Sequence, residues 1–211
     1  MKPFIVLSLT IATLLSSSLL SANAKAESGA ELYSGCIACH GARGEGNTAL
    51  KAPALSGQSA DYLLRQLQHF KSGLRGAGQG DSSGAQMRSM AALLKTPAEM
   101  QQVADYLASL PAPVASTTIE GDARRGQNLF QGNCGACHGG KAEGNALLHA
   151  PRLAGLDGDY IKQQLLLYQQ GARGYDKSDR LGRQMAMMAN TLPDAKAVDD
   201  VIAYIQQVNQ P

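Results

Sequence analysis

Two short segments carry most of the chemistry in this chain. Cys36-Ile-Ala-Cys39-His40 and Cys134-Gly-Ala-Cys137-His138 each set two thiols three residues apart, followed at once by an imidazole. On a helical turn the two sulfurs face the same way and can each bond a vinyl group on a porphyrin edge, while the adjacent histidine brings a ring nitrogen under the iron. This is the C-x-x-C-H pattern of covalent c-type haem attachment. The competing chemistries fit less well. A structural zinc site takes four protein ligands, whereas each cluster supplies three and the chain has four cysteines in all. A thioredoxin-like pair belongs in a βαβ setting that the surrounding pattern lacks. A disulfide leaves the repeated histidine without a purpose. Two haems are expected, with thioether bonds to Cys36, Cys39, Cys134 and Cys137 and with His40 and His138 on the two irons.

An iron held by one histidine needs a sixth ligand or an open position, and the choice separates electron transfer from small-molecule chemistry. Met87 and Met185 each lie 47 residues after their histidine, and each follows a glutamine. A thioether opposite an imidazole closes the site and favours electron transfer. Met90 and Met188 repeat at the same offset, so spacing leaves both pairs open, and methionine at helical spacing is ordinarily core. His69 and His149 have no histidine at the equivalent position of the other copy, where Leu167 and Lys51 stand. A surface or hydrogen-bonded role is expected for them, with a second histidine ligand at one haem as the alternative.

The elements that must position these groups are legible in a duplication. An offset of 98 residues superposes the two motifs and then continues without a gap. Ala52-Pro53 falls on Ala150-Pro151, Asp61-Tyr62 on Asp159-Tyr160, Gln66-Leu67 on Gln164-Leu165, and Gly73, Arg75 and Gly76 on Gly171, Arg173 and Gly174. Two long copies mean a duplicated domain, not a solenoid. The division is expected at residues 113–119, inside a Pro- and Ser/Thr-rich stretch, giving domains of 27–112 and 120–211. No run of alternating strand residues is present, so the fold class is all-α. Thr96-Pro97-Ala98-Glu99 reads as a helix start, with Met100, Val103, Leu107 and Leu110 on one face and Val198, Val201, Ile202 and Ile205 as their analogues. Another helix is expected after Ser59 and after Asp157, and a third before each cysteine motif. Glycine-rich loops over 73–84 and 171–182 precede the methionines.

Composition agrees. With no Trp and three Phe, two cores of this size lack bulky apolar surface that a haem in each would supply. Residues 27–112 hold seven basic and seven acidic side chains, and 120–211 hold ten of each. Neither half has the excess of a nucleic-acid binder. Residues 1–24 read as a secretory signal, cleaved after Ala24 or Ala26, and no later stretch is apolar enough to span a bilayer. A periplasmic protein is expected, with peripheral membrane association left open.

At this point the residues resemble the dihaem cytochrome c4 family, built from two tandem class I cytochrome c domains, each a small helical fold around one haem. The likeness covers essentially the whole chain after the leader. It rests on the paired motifs, on Pro53-Ala-Leu-Ser-Gly57 and Pro151-Arg-Leu-Ala-Gly155, and on the segments opening at Met87 and Met185. The resemblance implies that Met87 and Met185 are the sixth iron ligands, and that the carbonyls of Pro53 and Pro151 orient the proximal histidines. Met187 beside Met188 departs from the pattern. It further implies a monomeric electron shuttle and not an enzyme, passing electrons from a quinol:cytochrome c reductase towards a haem-copper terminal oxidase. The alternatives are a dihaem electron-accepting subunit of a periplasmic dehydrogenase complex, such as a sulfur-oxidising flavoprotein, and a dihaem peroxidase.

Overall fold

Thr96 opens a helix because its hydroxyl accepts from the Glu99 amide, 3.1 Å away, and Pro97 needs no amide partner in the first turn. The Glu99 carboxylate closes the turn one residue earlier than a reciprocal capping box would, on the Lys95 amide at 2.6 Å. The computed structural model describes residues 27–208. The expected export leader lies outside the described residues.

Among the described residues five α-helices form the first half: α1 (Gly29–Tyr33), α2 (Ile37–His40), α3 (Ala60–Ser72), α4 (Ser82–Ala91) and α5 (Pro97–Ser109). Five more form the second: α6 (Ala123–Asn133), α7 (Gly135–His138), α8 (Gly158–Gln169), α9 (Arg180–Ala189) and α10 (Ala195–Gln207). Among the described residues extended pairing is limited to two isolated bridges, Asn47 with Ala52 and Asn145 with Ala150. In each half the last helix packs on the first and on the central one: α5 on α1 and α3, α10 on α6 and α8. The expected apolar faces are the ones buried. Met100, Val103 and Leu107 fill one core, and Val198, Val201, Ile202 and Ile205 the other, while Leu110 ends α5 only partly buried.

Each core is completed by one fully buried ring, Tyr33 or Phe130, tilted against Tyr106 or Tyr204 at 5.7 and 5.4 Å between centroids. The tyrosines keep the 98-residue offset, but the buried rings are one residue out of it. The first copy winds a 3₁₀ turn over Ser34–Cys36 where α6 runs on to Asn133.

The glycine-rich loops are shorter than the sequence suggests, because α4 starts at Ser82 and α9 at Arg180. Asp81 and Asp179 cap these helices, accepting from the Gly84 and Gly182 amides at 2.8 Å. Glycine is required where the loop crosses its own helix. A methyl group on Gly76 or Gly174, both at positive φ, would run into the carbonyl of Gly84 or Gly182. The stretch between the halves is tied down. Ser116 and Thr117 donate their amides to the Asp157 carboxylate at 2.8 and 3.0 Å, and Gln206 donates to the Thr117 carbonyl. Asp157 therefore makes no side-chain cap on α8, whereas Ser59 does cap α3, accepting from Tyr62 at 3.3 Å.

Candidate haem sites

In each cysteine motif the last four residues form a single helical turn, α2 or α7, with Cys36 ending the 3₁₀ turn before α2 and Cys134 at the N-cap of α7. All four cysteines are of intermediate exposure, and none is in a disulfide. Burial pushes the Cys134 thiol up to about 11 and the Cys36 thiol upward as well, each with help from its neighbouring cysteine. A thiol raised in this way is the opposite of the acidic, electropositive cysteine of a thiol oxidoreductase.

His40 and His138 are 4% and 5% exposed. In each, Nδ1 lies 2.9 Å from a proline carbonyl oxygen, that of Pro53 or Pro151. A carbonyl only accepts, so Nδ1 carries the proton and the lone pair of Nε2 is left to a metal. Burial holds both imidazoles below their ordinary pKa, the proline carbonyl opposing it, which keeps them in the neutral form that binds iron. The prolines sit where they do because the chain turns back on the motif. The Gly46 amide donates to the His40 carbonyl at 2.8 Å, and Asn47 pairs with Ala52 across a left-handed Lys51. The second half repeats this with Gly144, Asn145, Ala150 and a left-handed His149.

Each motif opens on a cavity, of about 230 Å³ in the first half and about 450 Å³ in the second. Cys36, Cys39 and His40 line one, with Met87 and Met90 from α4; Cys134, Cys137 and His138 line the other, with Met185 and Met188 from α9. Met187 is 66% exposed and turned away. The geometry thus brings both repeated methionine pairs to the cavities and removes Met187 from consideration.

A set of residues whose pairing the sequence did not announce lies between the two cavities. Arg75 donates to Gln66 at 2.7 Å in its own half, and to Tyr160 and Gln164 at 3.1 and 3.0 Å in the other. Arg173 mirrors it, donating to Gln164 at 2.7 Å and to Tyr62 and Gln66 at 3.3 and 3.1 Å. Both guanidinium groups lie 4.5 Å over a ring, Phe70 or Tyr168. Burial alone would discourage the charge on Arg173, but Tyr168, Tyr62 and Tyr160 around it sustain the cationic form. The signal was in the repeat, since all six polar residues recur at 98, but only folding sets them face to face.

These features fit a haem in each half. The donor set is two thiols and a neutral, oriented imidazole beside an apolar cavity. Two buried cations whose hydrogen bonds all end on neutral oxygens, with the buried Nε of Arg75 unpartnered, suit the two carboxylates that a haem carries. When bound, the haem supplies a one-electron change at iron.

Two helical bundles, each closing a Cys-Cys-His cavity, define a tandem c-type cytochrome. The cytochrome c family model matches twice, over residues 26–111 and 123–209. The chain belongs to the cytochrome c family, in its dihaem cytochrome c4 branch. It is 30% identical to cytochrome c4 of Azotobacter vinelandii over 81% of this chain and 83% of that protein. It is 31% identical to a thiosulfate dehydrogenase electron acceptor of Stutzerimonas stutzeri over 90% and 91%. The crystal structure of reduced cytochrome c4 from Pseudomonas stutzeri superposes with a TM-score of 0.67 at 28% identity, covering 84% of this chain and 95% of that one. The protein is a dihaem electron-transfer cytochrome with two covalently bound c-type haems.

Proposed function

We propose that this cytochrome is an exported electron shuttle with two closed His/Met irons, His40 with Met87 and His138 with Met185, that passes electrons between redox proteins and performs no catalysis of its own. The observation that carries this is the donor set of each cavity: a buried neutral histidine fixed by a proline carbonyl, with thioethers from a neighbouring helix lining the same space. Cys36, Cys39, Cys134 and Cys137 hold the porphyrin edge, and Pro53 and Pro151 keep the proximal ring in one tautomer and orientation. The division between domains falls within 113–119. The site of action is the periplasm, reached by means of the leader at 1–24. Among the described residues no helix is long and apolar enough to cross a membrane.

The donor is a quinol-oxidising reductase and the acceptor a haem-copper oxidase. A second reading, as electron acceptor of a thiosulfate dehydrogenase, is favoured by the relative of that name, which matches 90% of the chain. Stopped-flow reduction by each purified donor decides between them, the true donor reducing the cytochrome at least about tenfold faster. Ligation is tested by the red absorption band of sulfur-bound ferric haem. Met87→Leu and Met185→Leu should each remove about half of the band, and Met90→Leu and Met188→Leu should leave it. A band that survives both of the first two substitutions would refute the assignment.

A further inference from the structure

The two histidines that break the repeat both cross from one half to the other. His149 pairs with Asp61 at 3.0 Å on an exposed edge, the two side chains 51% and 53% exposed. His69 behaves differently. It lies near the end of α3 in the first half, yet lines the cavity of the second haem, with Nδ1 3.8 Å from the Asp179 carboxylate. Its side chain is 17% exposed, enough to exchange protons with water, while that of Asp179 is 8% exposed. The equivalent relation at the first haem would join Leu167 to Asp81, and leucine cannot titrate.

We propose that His69 is a potential-setting residue for the second haem alone, taking up a proton when that haem is reduced, so that the relative affinity of the two irons for electrons depends on pH. The inference rests on the two haems, and not on their axial methionines or on the identity of the partners. An added electron lowers the charge in the second cavity and favours the imidazolium at its wall. By linkage a protonated His69 favours the electron equally. The electron comes from the redox partner and the proton from solvent, and the proton comes to rest on an imidazole nitrogen.

Four charged neighbours act on His69 from the surrounding elements. Asp179 before α9 supports the imidazolium. Arg65 on α3 and Arg75 and Arg173 in the loops after α3 and α8 oppose it, as does burial, the largest influence. His149 lies along the same cavity wall, held by Asp61. The balance leaves His69 below the ordinary histidine range, and an electron arriving in the cavity works against that shift. Reduction raises its pKa. The second potential is therefore high below the oxidised-state pKa, falls between the two values and is level above the reduced-state one.

The experiment is a redox titration of the holoprotein followed by nuclear magnetic resonance from about pH 5 to about pH 8. Haem methyl signals are assigned by their contacts to Leu67 in the first cavity or Leu165 in the second. The variants restore the repeat: His69→Leu and His149→Lys. The second potential should fall with rising pH in the parent protein and in His149→Lys, and that fall should be lost in His69→Leu, with the first potential following the same course in all three. His69→Gln, which keeps a polar side chain without a titration, must show the same loss and serves if the leucine variant does not fold. An equal slope at the second haem with and without His69, a slope lost in His149→Lys instead, or a loss shared equally by both haems would overturn the proposal. Failure to find two haem signals would contradict the dihaem reading itself and is a separate outcome.

Discussion

Gly171 and Gly174 form a matched pair for testing how the second methionine helix is held. Their φ angles are 70° and 71°, so alanine at either position meets the same left-handed penalty, about 1–2 kcal/mol. Their surroundings differ. A methyl group on Gly171 would touch nothing within 4 Å, whereas on Gly174 it would strike the Gly182 carbonyl, with its carbon 2.6 Å away and the Arg183 nitrogen at 3.2 Å. Ordinary carbon–carbon contact is about 3.5–4.0 Å, so the first turn of α9 must retreat by about 1 Å. Overpacking of this kind costs about 1–3 kcal/mol beyond the backbone penalty. Thermal unfolding of the ferrous protein should place Gly174→Ala below Gly171→Ala by that difference, at roughly 2–4 °C per kcal/mol for a chain of this size. Met185 lies three residues beyond Gly182, so the red band of the second haem should weaken in Gly174→Ala and persist in Gly171→Ala. Equal destabilisation of the two variants would refute the crossing as the reason for glycine. Lost stability with an intact band would break the link between the crossing and Met185.

Other expectations follow from the buried charges. Arg75→Leu removes one of two cations between the cavities and should lower both reduction potentials in a voltammetric titration. A unit charge at about 10 Å in an effective dielectric of about 20 is worth roughly 1.7 kcal/mol, on the order of 70 mV for a one-electron couple. The same variant loses two hydrogen bonds from a charged donor across the halves and should be less stable by about 2–4 kcal/mol in denaturant titration. Asp200 has a fully buried side chain that accepts from Lys196 at 2.9 Å, Arg125 at 2.7 Å and the Asp122 amide at 2.8 Å. Burial would raise its pKa, but the bonds from Lys196, the Asp122 amide and Arg125 hold it below the usual carboxylate range. A carboxyl depressed in the folded state adds stability above its unfolded pKa of about 3.9 and loses it as the pH falls through the folded value. Asp200→Asn should thus cost about 2–3 kcal/mol at neutral pH, with the gap from the parent protein narrowing below about pH 4. Gln102 occupies the equivalent place in the first half, so hydrogen exchange should localise this acid sensitivity to the second.

How much of this was legible in the residues can be judged element by element. The attachment motifs are local chemistry, because two thiols and an imidazole within one helical turn need no tertiary structure to be aligned. The helix starts at Thr96 and Ser59 are likewise local, since the cap bonds reach three residues. The duplication exposed the faces of α5 and α10, as their apolar spacing recurs. Asp157 reads equally well as a cap, yet its carboxylate went to the linker, because two amides and two hydroxyls of Ser116 and Thr117 converge on it only after the chain has folded back. Glycine at 84 and 182 has the composition of a turn but stands inside a helix, where it lets a distant loop pass over the first turn.

By itself the sequence determined that there are two attachment motifs and that each stands in an α-helical half. Only the tertiary structure decided that Arg75 and Arg173 exchange partners between the halves, and that His69 of one half faces the haem cavity of the other. Those pairings join residues more than 80 positions apart. A linear repeat specifies which residues are equivalent, but the distance between equivalent residues is a property of how the two copies dock.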